Sequence, residues 1–290
     1  MSLDNHRRRE LIALFPLLDQ GCIHSPVIVD LRRHDSAFTP LDGPPGLSLA
    51  FISSFSRSGH PTRPGMPKPP ELIAHRGASK ERPENSLAAF VRAAELGADA
   101  IELDVHLTSD GHLVVHHDPT VKTDAGPLSI RTMTLADAAG LRVRGEPIAT
   151  LADVIGAMGG KLRIYCELKG VGTAAPAAAL LAPMGERAAV HSFDHRMIAE
   201  AEALAPDLPR GVLEASYHRD VTFPLRDVQA EALWQNEALI DQSLVDSVHG
   251  SGARVIAWTV NSPDRARALA AMGVDGLCTD DVAGIAAALK

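Results

Sequence analysis

At 290 residues, with 46% hydrophobic and 22% charged residues, the chain has the composition of a globular protein able to bury a core, which excludes disorder along its whole length. A formal net charge of -8 removes any general attraction to nucleic acid or to an anionic membrane, so a phosphate-bearing ligand has to be bound locally. Three cysteines, Cys22, Cys166 and Cys278, stand far apart and form no CxxC pair, which argues against a disulfide framework or a thiolate metal site and for a reducing, cytoplasmic setting.

The first 65 residues carry seven arginines, no lysine and seven of the 20 prolines, and the composition changes near Met66. Val27 to Leu31 reads as a short strand, but Thr39 to Gly46 and Gly59 to Pro70 read as loop, so residues 1–70 are expected to form an irregular or mobile extension. Leu11 to Leu18 is too short an apolar run to span a membrane. Arg7, Arg8 and Arg9 imitate the opening of an export signal, yet Glu10 interrupts it and no small-x-small cleavage site follows closely. Stable membrane insertion is therefore not expected, with export kept as the alternative to a cytoplasmic location.

From Glu71 to the end, short apolar runs alternate with amphipathic segments of about a dozen residues, the pattern of repeated βα units on a parallel sheet. Strand signals end near His75, Val105, Glu167, Ser192, Leu213, Trp234, Thr259 and Cys278, which predicts an α/β barrel of the TIM type over residues 71–290. Helices are expected over Ser86 to Leu96, His195 to Ala205 and Ser262 to Met272. Asn85 or Ser86, Asp194 and the Asn261-Ser262-Pro263 run supply start signals, and Gly97 and Gly273 supply stops.

A further strand-like run, His112 to His117, follows Val105 too closely for a parallel crossover, so it should be an antiparallel hairpin excursion. A two-residue Asp110-Gly111 turn would pair Ser109 with His112 and set Asp104 opposite His117. Glu102, Asp104 and His117 would then share one face.

That face lies at the C-terminal end of the barrel strands, where active sites of such barrels gather. Glu102 and Asp104, with Glu167 at the end of the third strand, form a carboxylate trio suited to one hard divalent cation, Mg²⁺ or Ca²⁺; ordinary ion pairs are the bland reading. His75, Arg76 and Gly77 bring an imidazole and a guanidinium to the same rim, although a His-Arg-Gly triplet alone is more often a surface loop. Lys169 shares the face of Glu167 and suits a phosphate oxygen, or is simply solvated. Trp258 suits packing against an alcohol or glycerol moiety, with a core role at least as reasonable for it alone. His112, His116, His191, His195, His218 and His249 have no partner at an informative spacing and read as surface or core residues. Asp275 and Asp280 suit either site support or helix capping.

Taken together, His75-Arg76-Gly77, Pro83-Glu84-Asn85, Glu102-x-Asp104, Thr108-x-Asp110-Gly111, His117-Asp118, Glu167-Leu168-Lys169, Ser192-Phe193, Trp258-Thr259-Val260-Asn261 and Gly276-x-x-Thr279-Asp280 resemble the glycerophosphodiester phosphodiesterases over about residues 71 to 290. The resemblance implies a distorted TIM-type barrel and metal-dependent hydrolysis of a small-molecule phosphodiester to glycerol phosphate and an alcohol. It implies His75 and His117 as acid and base in either assignment, Glu102, Asp104 and Glu167 as metal ligands, and Arg76 and Lys169 on phosphate. Glu84 and Asn85 match too, but helix capping explains them equally well. The first 70 residues have no counterpart in the family, and the interval from Asp118 to Lys161 is short beside members with an inserted subdomain, which leaves the head group open. A lipid phosphodiesterase of the lysophospholipase D or sphingomyelinase D kind, and a non-catalytic phosphate-binding barrel, are the alternative readings; oligomeric state is not legible.

Overall fold

The structure is a computed structural model and describes residues 69–290. The expectations for the preceding segment, its irregular character and its short strand included, lie outside the described residues.

The described chain opens with β1 (Glu71–Ala74), α1 (Leu87–Glu95) and β2 (Ala100–Leu107). An excursion follows: β3 (Leu113–Val115), the ribbon of β4 (Thr120–Thr123) and β5 (Gly126–Ser129), α2 (Leu135–Ala139), the short pair β6 (Arg142–Val143) and β7 (Glu146–Pro147), and α3 (Leu151–Met158). Regular alternation then resumes through β8 (Arg163–Leu168), α4 (Ala174–Leu181), β9 (Ala188–Ser192), α5 (His195–Leu204), β10 (Arg210–Glu214) and α6 (Phe223–Asp227). It ends with β11 (Ala232–Asn236), α7 (Gln242–Gly250), β12 (Arg254–Trp258), α8 (Pro263–Met272), β13 (Gly276–Thr279) and α9 (Val282–Ala288).

Strands β1, β2, β8, β9, β10, β11, β12 and β13 each lie parallel to the next, and β13 returns to β1, so the eight close into a barrel. Closure leaves no free edge, and the alternation of side chains then decides everything that follows. Along β2, Ile101, Leu103 and Val105 face out into the apolar layer beneath the helices. Ala100, Glu102 and Asp104 face in. The interior below them is filled by Ile73, Tyr165, Trp234 and Ile256, and at the far end the Glu71 carboxylate accepts from Tyr165 Oη at 2.8 Å and from Arg254 at 2.6 Å.

Helix boundaries follow local chemistry. Ser86, Asp194 and Ser262 each accept a backbone N–H at the start of α1, α5 and α8, and Pro263 occupies the first turn of α8. Gly273, at φ 89°, ends α8 in the left-handed region that a Cβ would resist.

β3 is antiparallel to β2 as expected, but the register is displaced by one residue from the two-residue turn: Val105 faces Val115 and Leu107 faces Leu113. Thr108 N–H donates to His112 O at 2.9 Å and Gly111 N–H to Thr108 O at 3.1 Å, which makes a three-residue loop with Gly111 at φ 85°. The cause is local: Thr108 Oγ1 donates to Asp110 Oδ1 at 2.6 Å and accepts from His112 N–H at 2.9 Å, stitching the longer loop shut. His116, not His117, therefore stands opposite Asp104, its N–H donating to the Asp104 carbonyl at 3.0 Å. His117 lies beyond the ladder, in a bend.

Candidate active site

Parallel register sets Asp104, Glu167 and His191 side by side on β2, β8 and β9, and Glu102 lies one inward step below Asp104. All four are buried, at 2% (Glu102), 0% (Asp104), 7% (Glu167) and 1% (His191) exposure. Above them opens a small cavity lined by His75, Arg76, Glu102, His117, Glu167 and Lys169, with His191, Phe193 and Trp258 also on its wall. The barrel mouth thus gathers seven of the eight expected site residues. Asp104 sits behind the wall.

The turn after β1 carries the first corner. Arg76 at φ 55° and Gly77 at φ 81° reverse the chain, and Gly77 passes so close to α1 that a Cβ there would lie 2.7 Å from the Ala89 carbonyl carbon. The reversal aims Arg76 N–H at Glu102 Oε2, 3.0 Å away, and the Arg76 guanidinium at Asp104 (3.2 Å) and Glu84 (3.3 Å). His75 Nδ1 lies 2.7 Å from Asp280 Oδ1, which also accepts from Ser79 Oγ at 3.0 Å. Asn261 Nδ2 donates to Asp280 Oδ2 at 2.6 Å. Burial works against a charge on His75, but the Asp280 hydrogen bond and the Glu102 charge outweigh it and raise its pKa. With Nδ1 held by a carboxylate, Nε2 is the nitrogen left for proton transfer.

Lys169 extends the inward face of β8, and its ammonium reaches Glu167 at 2.8 Å and Asp104 at 3.2 Å. Burial and the nearby Asp104 and Glu102 charges push the Glu167 carboxyl up, even against Lys169. Burial would raise Asp104 as well, but Lys169, Arg76 and a 2.8 Å hydrogen bond from Asn85 hold it low. Across the cavity, His117 Nδ1 lies 2.8 Å from Asp118 Oδ1, and His106 Nε2 donates to the His117 carbonyl at 3.0 Å, tying the bend to β2. Trp258 packs edge-on to Phe193 at 5.4 Å.

The chemistry of this donor set fits a divalent cation. Buried carboxylates crowd one another until Glu167 is driven toward its protonated form, and Asp104 Oδ1, fully buried, has only the Lys169 ammonium at 3.2 Å beside it. Among the described residues, the side chains whose ligand atoms all lie within 4.8 Å of one another are Glu102, Glu167 and His191. Asp104, the further carboxylate expected there, lies beside Glu167 with its oxygens on Arg76, Lys169 and Asn85.

One neighbour of the site escapes a reading of the sequence, and two more are left there between site support and helix capping. His191 sits between Val190 and Ser192 with no ligand spacing to mark it, and only the β8–β9 register brings it to Glu167. Asn85 does not cap α1, because Ser86 does; its side-chain amide donates to Asp104 Oδ2 at 2.8 Å and accepts from the Asp104 backbone N–H at 3.3 Å. Asp280 holds His75, whereas Asp281 caps α9 and Asp275 accepts Val255 N–H and His249 at 2.8 Å, outside the cavity. His195 and His218 reach Glu214, and His112 reaches Asp110, also apart from the carboxylate cluster.

The comparisons with known proteins agree with this geometry. A model described as the glycerophosphoryl diester phosphodiesterase family matches residues 75–283. A glycerophosphodiester phosphodiesterase of Caldanaerobacter subterraneus is 35% identical over 227 residues, covering 72% of this chain and 93% of that one. The solved structure of an Oleispira antarctica phosphodiesterase in complex with the product sn-glycerol-3-phosphate superposes with a TM-score of 0.70 at 26% identity, over 76% of this chain and 97% of that one. The glycerophosphodiester phosphodiesterase of Thermotoga maritima gives a TM-score of 0.63 at 26% identity, over 74% of this chain and 96% of that one. The motifs, the closed barrel and these matches converge, and the chain belongs to the glycerophosphoryl diester phosphodiesterase family, an enzyme of that phosphodiesterase class.

Proposed function

We propose that the barrel of residues 71–290 hydrolyses glycerophosphodiesters to glycerol phosphate and an alcohol, with His75 and His117 moving the protons and one divalent cation held by Glu102, Glu167 and Asp104. The observation that carries this reading is the meeting of three imidazoles, two carboxylates and two cationic side chains on one small cavity at the strand ends. A bound divalent cation would neutralise the phosphodiester and the charge growing on it in the transition state.

Arg76 presents forked donors and Lys169 a point charge, so together they bind and orient the non-bridging phosphate oxygens. His75, with Asp280 on Nδ1, offers Nε2 to the proton of the attacking hydroxyl or of the leaving alcohol, and His117 serves the other step. Trp258 and Phe193 form an apolar wall that excludes water and suits the carbon face of glycerol.

Chelation followed by add-back tests the reading: glycerol phosphate release from glycerophosphocholine should stop on chelation and return with Mg²⁺ or Ca²⁺. Turnover indifferent to a strong chelator would remove the cation from the mechanism.

One observation favours a lipid substrate. Phe193, Tyr217 and Phe223, on segments that follow β9 and β10, are exposed on the side of the barrel where the cavity opens. Faster turnover of micellar lysophospholipid than of water-soluble glycerophosphocholine would turn the assignment that way. Among the described residues, no helix is long and apolar enough to cross a membrane.

A further inference from the structure

We propose that His191 is a nitrogen ligand of the cation at the barrel mouth, and that this chain therefore favours a borderline ion such as Co²⁺ or Zn²⁺ over Ca²⁺; the inference rests on the cation site of the preceding reading. His191 Nε2 lies 3.7 Å from Glu102 Oε1. That is too long for a hydrogen bond, but two ligands at ordinary bond lengths from one shared ion, at right or tetrahedral angles, stand roughly 3–4 Å apart. The Glu102, Glu167 and His191 ligand atoms all fall within 4.8 Å of one another, which one ion can span.

The imidazole is fixed before any ion arrives. It stacks on the Trp234 indole with ring centroids 4.2 Å apart and planes within 4° of parallel, and Tyr165 closes one side edge-on at 6.4 Å. Gly211 faces His191 across the β9–β10 ladder, and a Cβ there would lie 2.8 Å from Trp234 Cδ1. The glycine leaves the room in which the indole reaches the imidazole. Hydrogen bonding does not account for this histidine: it is 1% exposed, and its buried Nδ1 has no partner. Aromatic stacking takes over the orienting role that a hydrogen bond to the second nitrogen usually performs for a ligating histidine.

An imidazole among carboxylates shifts ion preference. Carboxylate oxygen suits Mg²⁺ and Ca²⁺, whereas imidazole nitrogen strengthens binding along the first-row series. The full chain, wild type and His191→Gln, is titrated calorimetrically with Co²⁺ and with Ca²⁺, and the wild type loaded with Mn²⁺ is measured by pulsed electron paramagnetic resonance. The expected results are a loss of Co²⁺ affinity of about tenfold or more in H191Q with Ca²⁺ affinity changed by less than about twofold, and a directly coordinated ¹⁴N coupling to Mn²⁺ in the wild type. Equal losses for both ions, or Mn²⁺ bound without that coupling, overturn the assignment while leaving the cation site in place. Absence of binding by any of the three ions to the wild type overturns the cation site and the assignment together. If H191Q does not fold, the wild-type nitrogen coupling alone decides.

Discussion

His75 and His117 reach the same cavity by different means. His75 is fixed by an Asp280 carboxylate that is itself tied to Ser79 and Asn261, whereas His117 leans on Asp118, which is more than half exposed. Replacing either histidine with alanine should lower kcat by about 10²- to 10⁴-fold with KM little changed, because proton transfer is lost and the phosphate-binding groups remain. Steady-state kinetics on glycerophosphocholine decides this, and near-normal kcat in either variant would end the two-histidine proposal. Asp280 makes a second case. Burial acts to raise its pKa, but hydrogen bonds from His75 and Asn261 prevail and hold it at about 2 against an ordinary 3.8. A carboxyl depressed on folding contributes stability that is complete above its unfolded pKa and lost as pH falls through the folded one. The stability gap between the wild type and Asp280→Asn, read from urea unfolding, should therefore shrink between about pH 5 and pH 2. Proton NMR of the His75 ring should show it titrating lower in that variant, since its raised pKa depends on the same carboxylate.

Two turns position the elements that carry these residues, and their glycines differ in a way that can be measured. Gly77 and Gly111 both have left-handed φ, 81° and 85°, so alanine at either should cost about 1–2 kcal/mol in backbone strain. Gly111 has nothing within 4 Å of its missing Cβ, whereas Gly77 presses on the Ala89 backbone. Gly77→Ala should be clearly the more destabilising in urea unfolding, and it should also lower kcat, because relief of the overlap moves the Arg76 N–H away from Glu102. Equal unfolding midpoints would show that α1 gives way freely. In the hairpin between β2 and β3, Thr108 closes a three-residue loop through Asp110 and His112, and the register lies one residue from that of a two-residue turn.

At the scale of the whole molecule, ring closure is what brings β1 beside β13 and so His75 beside Asp280. The same closure gives β1 both of its neighbours among the described strands. A chain starting at Met66 is therefore expected to fold and to retain the turnover of the full chain, as circular dichroism and the glycerophosphocholine assay would reveal. Loss of folding in that truncated chain would mean that the preceding segment completes the barrel and is no separate extension.

By itself the sequence determined the barrel, the position of its strands, three helix caps and most of the mouth-lining residues, because period-two and helical patterns, capping side chains and strand-end motifs are all local signals. The tertiary structure alone decided what depends on register between strands distant in sequence. It set His191 beside Glu167, put Asp104 between Arg76 and Lys169, chose Asp280 over Asp275 as the partner of His75, and put His116 where His117 was expected. Each of these is a neighbour relation across a ladder or a closed ring, and no spacing along the chain records which strand will lie alongside, or by how many residues it slides.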